Sequence, residues 1–479
     1  MKNKIKFIYK SLFLACFFQL FVFCESQLGA LPENAKVDGN TVLDEATAKI
    51  ALNGVYYRFA NVSASNNITQ WTINERLPAQ LSGYMVYGYG VGAGAPEDNQ
   101  MLSSSSTYWQ YSYGIINAAN SLIGAMNGLP EGRIPQKVHE TIEAETRFLR
   151  AYGNYKLLSY YSQWFDYDSQ FGVLLRDEAV TTGNIAKSRS TVKESYEAIL
   201  NDLDFAIEHA PKENSKYYAT SAAAKVLKAR VLISRGQLGD YQEVISLSDE
   251  VIAQGEYRLE PLAKDIFRIL GEESDEVILS ITPQPNQPDY AYSRTRQFYP
   301  GASSLYCATE GLNNLLEGDP RQDWMVGSFR PDYANFFFTK YIAEGNNPSV
   351  VSETFFAMRL TEVYLLKAEA ILRNKGSIDE AKAILKKIGE HNGLQDFSKL
   401  ESLDDYQELL LYNYHEVSKC LVAEDGQEWL TLLRLPLSTV SQLRPKLTEI
   451  NQYILPIPNG EFADNPEFGE QNPGYNIDL

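Results

Sequence analysis

Cysteine is scarce in this chain, four in 479 residues, and histidine is equally scarce, also four. Those counts exclude a disulfide-stapled scaffold, and no Cys-x-x-Cys pair or Cys/His cluster offers a zinc or redox site. Cys307 and Cys420 fit either a disulfide in an oxidising compartment or two unpaired buried thiols. Positive charge is short as well: 43 Lys and Arg stand against 61 Asp and Glu, a formal charge of −18. A surface that acidic repels phosphate backbones and anionic headgroups, which argues against nucleic acid as a partner. After the first 24 residues no stretch reaches 18 apolar residues, so the body is expected to be water-soluble, without a spanning helix. Catalytic signatures are missing too: there is no Gly-x-Ser-x-Gly, no His-Glu-x-x-His and no Walker A sequence. Gly90-Val91-Gly92-Ala93-Gly94-Ala95 matches a dinucleotide fingerprint only loosely, because no apolar strand leads into it. His139, His209, His391 and His415 are scattered, three of them in helical segments, which fits packed or solvated imidazoles better than a catalytic base. Acid pairs such as Glu424-Asp425 are commonplace among 61 acids and do not define a glycosidase centre. No cofactor or metal is expected.

What is present begins with an address. MKNKIKFIYK is basic, and Ser11 to Phe23 is nearly uncharged and mostly apolar. At ~1.5 Å per residue that run is too short for a ~30 Å bilayer core, so it reads as a signal peptide over residues 1–23. Removing its four lysines takes the formal charge from −18 to −22. Cys24 follows the apolar run directly, ahead of Glu25-Ser26-Gln27, as in a bacterial lipoprotein signal. Phe23 departs from the small residue that signal peptidases need before the cut, and plain secretion is the alternative. Lipidation at Cys24 would make the attachment effectively permanent, since each buried methylene contributes ~0.8 kcal/mol.

The body reads as mostly helical. Thr41 and Asp44 fit a capping box for a helix through Ala46, Ile50, Val55 and Tyr56. Further helices are predicted over Tyr108–Met126 and about Val138–Tyr161. Thr191 and Glu194 form another capping box, with Tyr196, Ile199, Leu200, Leu203, Ala206 and Ile207 at helical spacing and Pro211 ending the run. Two segments echo each other. Val226-Leu227-Lys228-Ala229-Arg230 runs to a turn at Gly236, and Leu365-Leu366-Lys367-Ala368-Glu369 runs to a turn at Gly376. In the second, Ser377 and Glu380 cap the next helix. Small residues at close contacts, a glycine turn and a span of ~34 residues suit degenerate tetratricopeptide repeats, with ordinary helical hairpins as the plainer alternative. Between the helical blocks, residues 61–107 and 257–355 read as irregular and aromatic-rich, with one strand at Glu276–Ile281 by alternation.

The end of the chain reads Leu455-Pro456-Ile457-Pro458, then Glu461, Asn465-Pro466 and Gln471-Asn472-Pro473-Gly474-Tyr475. It resembles the C-terminal signature of the SusD/RagB family of outer-membrane nutrient-uptake lipoproteins of Bacteroidota. Four further stretches agree in order: Ala51–Tyr56, Tyr113–Asn120, Glu145–Tyr152 and Arg359–Ala370. Where the family has Glu-Gly-Arg-Trp and Asp-Leu-Arg, this chain has Gly426-Gln427-Glu428-Trp429 and Thr431-Leu432-Leu433-Arg434, a stretch expected to serve packing. The resemblance implies a mostly α fold of tetratricopeptide-like hairpins with a loop-rich, partly β subdomain carrying a ligand groove. It implies a leader (1–23), a helical N-terminal region (24–256), a loop-rich ligand region (257–355) and a C-terminal region with a hairpin and tail (356–479). It also implies outer-membrane attachment facing the exterior and a partner, a SusC-like TonB-dependent outer-membrane barrel. The cargo would be an oligosaccharide or, in some members, a peptide, passed on without bond chemistry; a surface glycoside hydrolase is the competing class.

A sugar ring has an apolar face and a hydroxyl rim, and tyrosine answers both. Loop position and chemistry therefore single out Tyr84, Tyr87 and Tyr89 in the first irregular stretch and Tyr290, Tyr292 and Trp324 in the second. Asn286, Arg294 and Arg321 are the polar candidates. The competing expectation for each aromatic is that it packs beneath its own loop.

Overall fold

Helices begin where the sequence supplies side chains for their unpaired N–H groups. The computed structural model describes residues 42–61, 71–89, 107–281, 297–298, 300, 304–342 and 350–477. The leader, Cys24, the 90–95 glycine run, Asn286, Tyr290, Tyr292 and Arg294 lie outside them. Helix α1 (Glu45–Ala60) is opened by a box between Asp44 and Thr47. The cap therefore sits one turn later than the expected Thr41/Asp44 pair, with Asp44 as the capping residue rather than its partner. Helix α2 (Thr72–Leu81) arises inside the stretch expected to be irregular, despite Pro78 within it. Helices α3 (Thr107–Asn127), α4 (Gln136–Tyr161) and α5 (Val192–His209) follow as the periodicity predicts, α5 with the Thr191/Glu194 box in place.

The echoing segments form two antiparallel pairs: α6 (Ser221–Arg235) with α7 (Asp240–Ala253), and α8 (Leu360–Arg373) with α9 (Ile378–His391). α7 packs on α8, so α5 to α9 make one continuous stack of helices. The repeated lysine has the same task in each unit. Lys228 bonds Asp204 on α5 and Glu243 on α7; Lys367 bonds Asp249 on α7 and Glu380 on α9, both at 2.8 Å. Each lysine thus ties the helix before its own to the helix after it. Gly236 takes the left-handed conformation that ends α6 (φ 59°). In the second unit that conformation falls to Lys375 (φ 55°), not to the expected Gly376.

Helix α10 (Tyr406–Leu421) packs on α8, and α11 (Gln427–Leu433) packs on α10 and α2; two small sheets lie beside them, one touching α2 and the other touching α6 and α8. In the first, β2 (Val277–Ile281) pairs antiparallel with β6 (Phe355–Arg359). All five residues of β2 are buried, so its two faces are both covered and the alternation expected of it has no exposed side. The second sheet has the order β1 (Met85–Tyr87), β3 (Tyr306–Ala308), β5 (Asn335–Phe338), β4 (Val326–Arg330), antiparallel throughout.

Where these parts meet, the core is ionic. Asp425 accepts from Lys156 on α4 (2.8 Å), Arg230 on α6 (2.6 Å) and the Tyr152 hydroxyl (2.8 Å), while Arg230 also grips Glu362 on α8. Glu424 beside it binds Lys340 (2.7 Å) and Arg359 (2.8 Å), and Arg359 reaches Glu276, which His391 approaches at 2.9 Å. All of these groups are buried. Burial, helped by the guanidinium groups of Arg230 and Arg359, pushes the Lys156 and Lys340 ammonium groups down, and the neighbouring carboxylates oppose it. Gly426 follows with φ 90°, and a Cβ there would lie 2.5 Å from the Tyr160 hydroxyl. Trp429 is buried, so the stretch that departs from the family pattern packs into the core.

The tail signature is a latch. The Gln471 side-chain amide bonds both the N–H and the carbonyl of Ile457 (2.8 and 2.9 Å). Asn472 donates to the carbonyls of Tyr161 and Leu455 (both 2.8 Å), and Leu455 N–H donates to Tyr160 at 2.6 Å. Asn465 clips the backbone of Lys187 on both sides (3.0 and 2.8 Å). Side-chain amides here replace the main-chain partners that an irregular tail lacks.

Candidate functional site

The four-stranded sheet carries an exposed aromatic group. Tyr87 ends β1 opposite Tyr306 at the start of β3, which puts both on one face, ring centroids 5.9 Å apart. Tyr89, two residues on, lies 5.7 Å from Tyr87 and 5.6 Å from Tyr333 at the tip of the β4–β5 hairpin. Gly88 makes this spacing possible: a Cβ there would meet the Ser304 carbonyl at 2.4 Å, so only glycine lets the strand pass between its two tyrosines. Tyr87, Tyr89 and Tyr333 are 39, 43 and 41% exposed. Adjoining them on β4, Phe329 is 51% exposed and packs on Phe336 across the strands (5.0 Å).

Two guanidinium groups lie against the rings: Arg330 is 4.6 Å from the Tyr333 ring centroid, and the half-buried Arg76 is 5.1 Å from that of Tyr306. Arg330 is itself buried and donates to the Cys307 thiol (2.9 Å). Burial raises the Cys307 thiol pKa, which keeps it protonated. Cys307 and Cys420 are both free and buried, so the thiol alternative holds for this pair. The arrangement can bind a flat, partly apolar face against rings that are tilted and edge-on to one another; it contains no nucleophile–base pair.

Of the residues singled out from sequence, Tyr87 and Tyr89 stand together in this group. Tyr84 does not: it is 8% exposed and its hydroxyl shares a 2.7 Å hydrogen bond with Tyr414. Three residues before Tyr87, it precedes the strand on its covered side and is withdrawn from the ligand set. Arg321 is withdrawn as well. It is fully buried, with its guanidinium spent on Asp319 (2.7 and 2.6 Å) and Glu416 (3.0 Å), and it holds the Asp319 carboxyl down at about 2. Trp324 is half-buried in a different aromatic stack, on Phe267 at 5.6 Å. Asn286, Tyr290, Tyr292 and Arg294 lie outside the described residues.

Sequence reading missed Tyr306 and Tyr333. The signal for Tyr333 was present: Pro331-Asp332 is a turn pair between the runs Ser328-Phe329-Arg330 and Asn335-Phe336-Phe337-Phe338, a hairpin pattern. Tyr306 carries no local signal, because its partner strand lies more than 200 residues earlier.

The acid pair Glu424-Asp425 is consumed in buried ion pairs with Lys156, Arg230 and Lys340. Burial lowers the pKa of His415 to about 4, so it is neutral at pH 7. Among the described residues no cluster of His, Cys, Asp or Glu is arranged to hold a metal, and no helix is long and apolar enough to cross a membrane.

Comparison with known proteins agrees with this architecture. Residues 31–233 match a family model described as "Starch-binding associating with outer membrane", and residues 328–411 match one described as "SusD family". SusD-like protein P2 of Formosa agariphila is 23% identical over 435 residues, covering 79% of this chain and 82% of that protein. A SusD superfamily protein from Bacteroides thetaiotaomicron superposes with a TM-score of 0.73 at 20% identity, covering 90% of this chain and all of the other. A laminarin-binding SusD-like protein gives 0.71 at 20% identity, covering 91% of this chain and all of that one. With two SusD models matched in order along the chain and a SusD-like relative aligned over most of both lengths, the chain belongs to the SusD/RagB family.

Proposed function

We propose that this protein is a non-catalytic capture lipoprotein, attached to the outer membrane through Cys24 and facing the exterior. It takes an oligomeric nutrient, a glycan, on the tyrosine platform and passes it to a SusC-like TonB-dependent barrel. The observation that carries the reading is the cluster of three partly exposed tyrosines, Tyr87, Tyr89 and Tyr333, held at the edge of a sheet, with the buried Arg330 propping Tyr333. Rings fixed in advance lose little freedom on binding, and their hydroxyls serve a sugar's rim. The outer-membrane description of the matched model and the laminarin ligand of one structural relative support the same ligand class. Tyr290, Tyr292, Asn286 and Arg294 remain part of the proposed ligand set.

Calorimetry with neutral gluco-oligosaccharides and with peptides of matching length tests this. Binding of sugars and not peptides is expected, with no new reducing ends released. Tyr87→Ala and Tyr89→Ala should each weaken binding by about 2 kcal/mol, roughly thirtyfold, while moving folding stability by less than about 0.5 kcal/mol. Peptide binding alone, or sugar binding indifferent to both variants, overturns the platform.

A further inference from the structure

A second cleft lies between α3, the segment 174–185 and helix α12 (Asn459–Asp464). Its volume is about 540 Å³, enough for one or two sugar units. The tail latch builds it: Asn465 clipped to Lys187, and Gln471 and Asn472 clipped to residues 455–457 and 161, hold α12 over α3 from both ends. The cleft is therefore preformed.

Two glycines in its wall have no explanation within the chain. Gly114 is in the interior of α3, where glycine weakens a helix relative to alanine. A Cβ on Gly114 would meet nothing within 4 Å, and the same is true of Gly460 on α12. Neither has a positive φ. Gly153 on α4 shows the contrast, since its Cβ position is taken by Ile116 at 2.9 Å. At Gly114 and Gly460 neither packing nor backbone conformation requires a missing side chain; what the absence leaves is open floor in the cleft.

The rest of the wall defines the ligand. Trp109 and Tyr113 (4.9 Å apart) offer aromatic surface, with Leu174, Val180 and Ile185 beside them. The Trp109 indole N–H donates to Glu461 (3.3 Å), and Arg176 donates to the carbonyls of Asn184 and Ile185 (2.9 and 2.6 Å), so these groups are held in place before anything binds. Glu461 and Asp464 outnumber Arg176, which disfavours uronic or sulfated sugars.

We infer that this cleft is a second carbohydrate site that takes the terminal one or two units of a neutral oligosaccharide, with Trp109 and Tyr113 as its aromatic wall and Gly114 and Gly460 as its floor. The inference rests on the glycan reading for its ligand class but not on the tyrosine platform for its place. Titration calorimetry with neutral β-1,3- and α-1,4-linked gluco-oligosaccharides of one to six units tests it on the full mature chain. The variants are Gly114→Trp, Gly460→Leu and the pair Tyr87→Ala/Tyr89→Ala, with Gly114→Ala as a folding control. Two sites are expected in the wild type. Gly114→Trp and Gly460→Leu should each weaken the cleft site at least about tenfold, and Tyr87→Ala/Tyr89→Ala should remove only the other. A single site lost in the tyrosine pair and untouched by both glycine variants overturns the cleft and keeps the platform. A single site lost only in the glycine variants keeps the cleft and overturns the platform. No binding of any of these sugars by the wild type overturns both.

Discussion

Replacing Asp425 with Asn perturbs the point where the helical stack, the sheets and the tail-bearing half converge. The carboxylate accepts from Lys156 at 2.8 Å and from Arg230 at 2.6 Å, and all three groups are buried. Asparagine keeps the volume and removes the charge. Arg230 retains Glu362 but faces the donor amide nitrogen, while Lys156 keeps two neutral acceptors, the amide oxygen and the carbonyl of residue 425 at 3.0 Å, and loses its counter-charge. Removing one partner of a buried pair costs about 3–5 kcal/mol, because the desolvated charge that remains has lost its compensation. An unfolding entropy of about 2.1 cal/mol/K per residue, over about 450 residues, makes each kcal/mol worth about 1 °C, so Tm should fall by about 3–5 °C. Lys156→Met supplies the control. Since it removes the stranded cation, the double variant should be more stable than the two single costs added together imply, by at least about 1 kcal/mol. Scanning calorimetry of the four proteins measures this. Asp425→Asn melting within 1 °C of wild type, or strict additivity in the double variant, would refute the account of the ionic core.

The pH dependence of stability should fall on both sides of a mildly acidic optimum. Burial pushes Glu145 up to about 7 and Glu428 to about 8, so the folded chain holds protons that the unfolded chain releases near pH 4.5; this stability is lost as pH rises from 5 to 8. Glu276, Asp319 and Glu369 are held near 2, chiefly by Arg359, Arg321 and Arg434 against the cost of burial, and their contribution is lost as pH falls below about 4. Glu145→Gln should flatten the neutral limb, and a wild-type Tm that rises from pH 5 to 8 would contradict the assignment. Gly426→Ala combines a left-handed φ with the 2.5 Å approach to Tyr160; a loss of about 2–4 kcal/mol is expected in urea denaturation, and a neutral result would mean the turn relaxes freely.

Local chemistry was the legible part of this chain. The Thr191/Glu194 and Ser377/Glu380 caps are encoded within four residues and stand where the sequence puts them. The segments around Lys228 and Lys367 match each other in sequence, and their lysines make equivalent ion pairs, so the repeat is legible locally. Position within a loop could not say which side chains face outward. Tyr84 stands just before β1 and Tyr87 ends it, and the pairing of β1 with β3 and the packing of Tyr84 against α10 separate a buried ring from an exposed one. Arg321 misled for the same reason: Glu416, which helps neutralise it, lies 95 residues away. Helix α2 was hidden by Pro78, whose local penalty is outweighed by burial of nearly every neighbour. The platform was half-legible, since two of its tyrosines stand in one short motif and the others arrive through a hairpin and a distant strand.

The C-terminal latch has a consequence for how the molecule comes into being. Asn472 closes on Tyr161 across 311 positions, and Leu455 on Tyr160 across nearly as many. A chain emerging from its amino end has no such clasp until its last few dozen residues arrive, so these long-range bonds form only after the helices they fasten have been made. The clasp is therefore the last part of the molecule that can close, whichever helices have already paired.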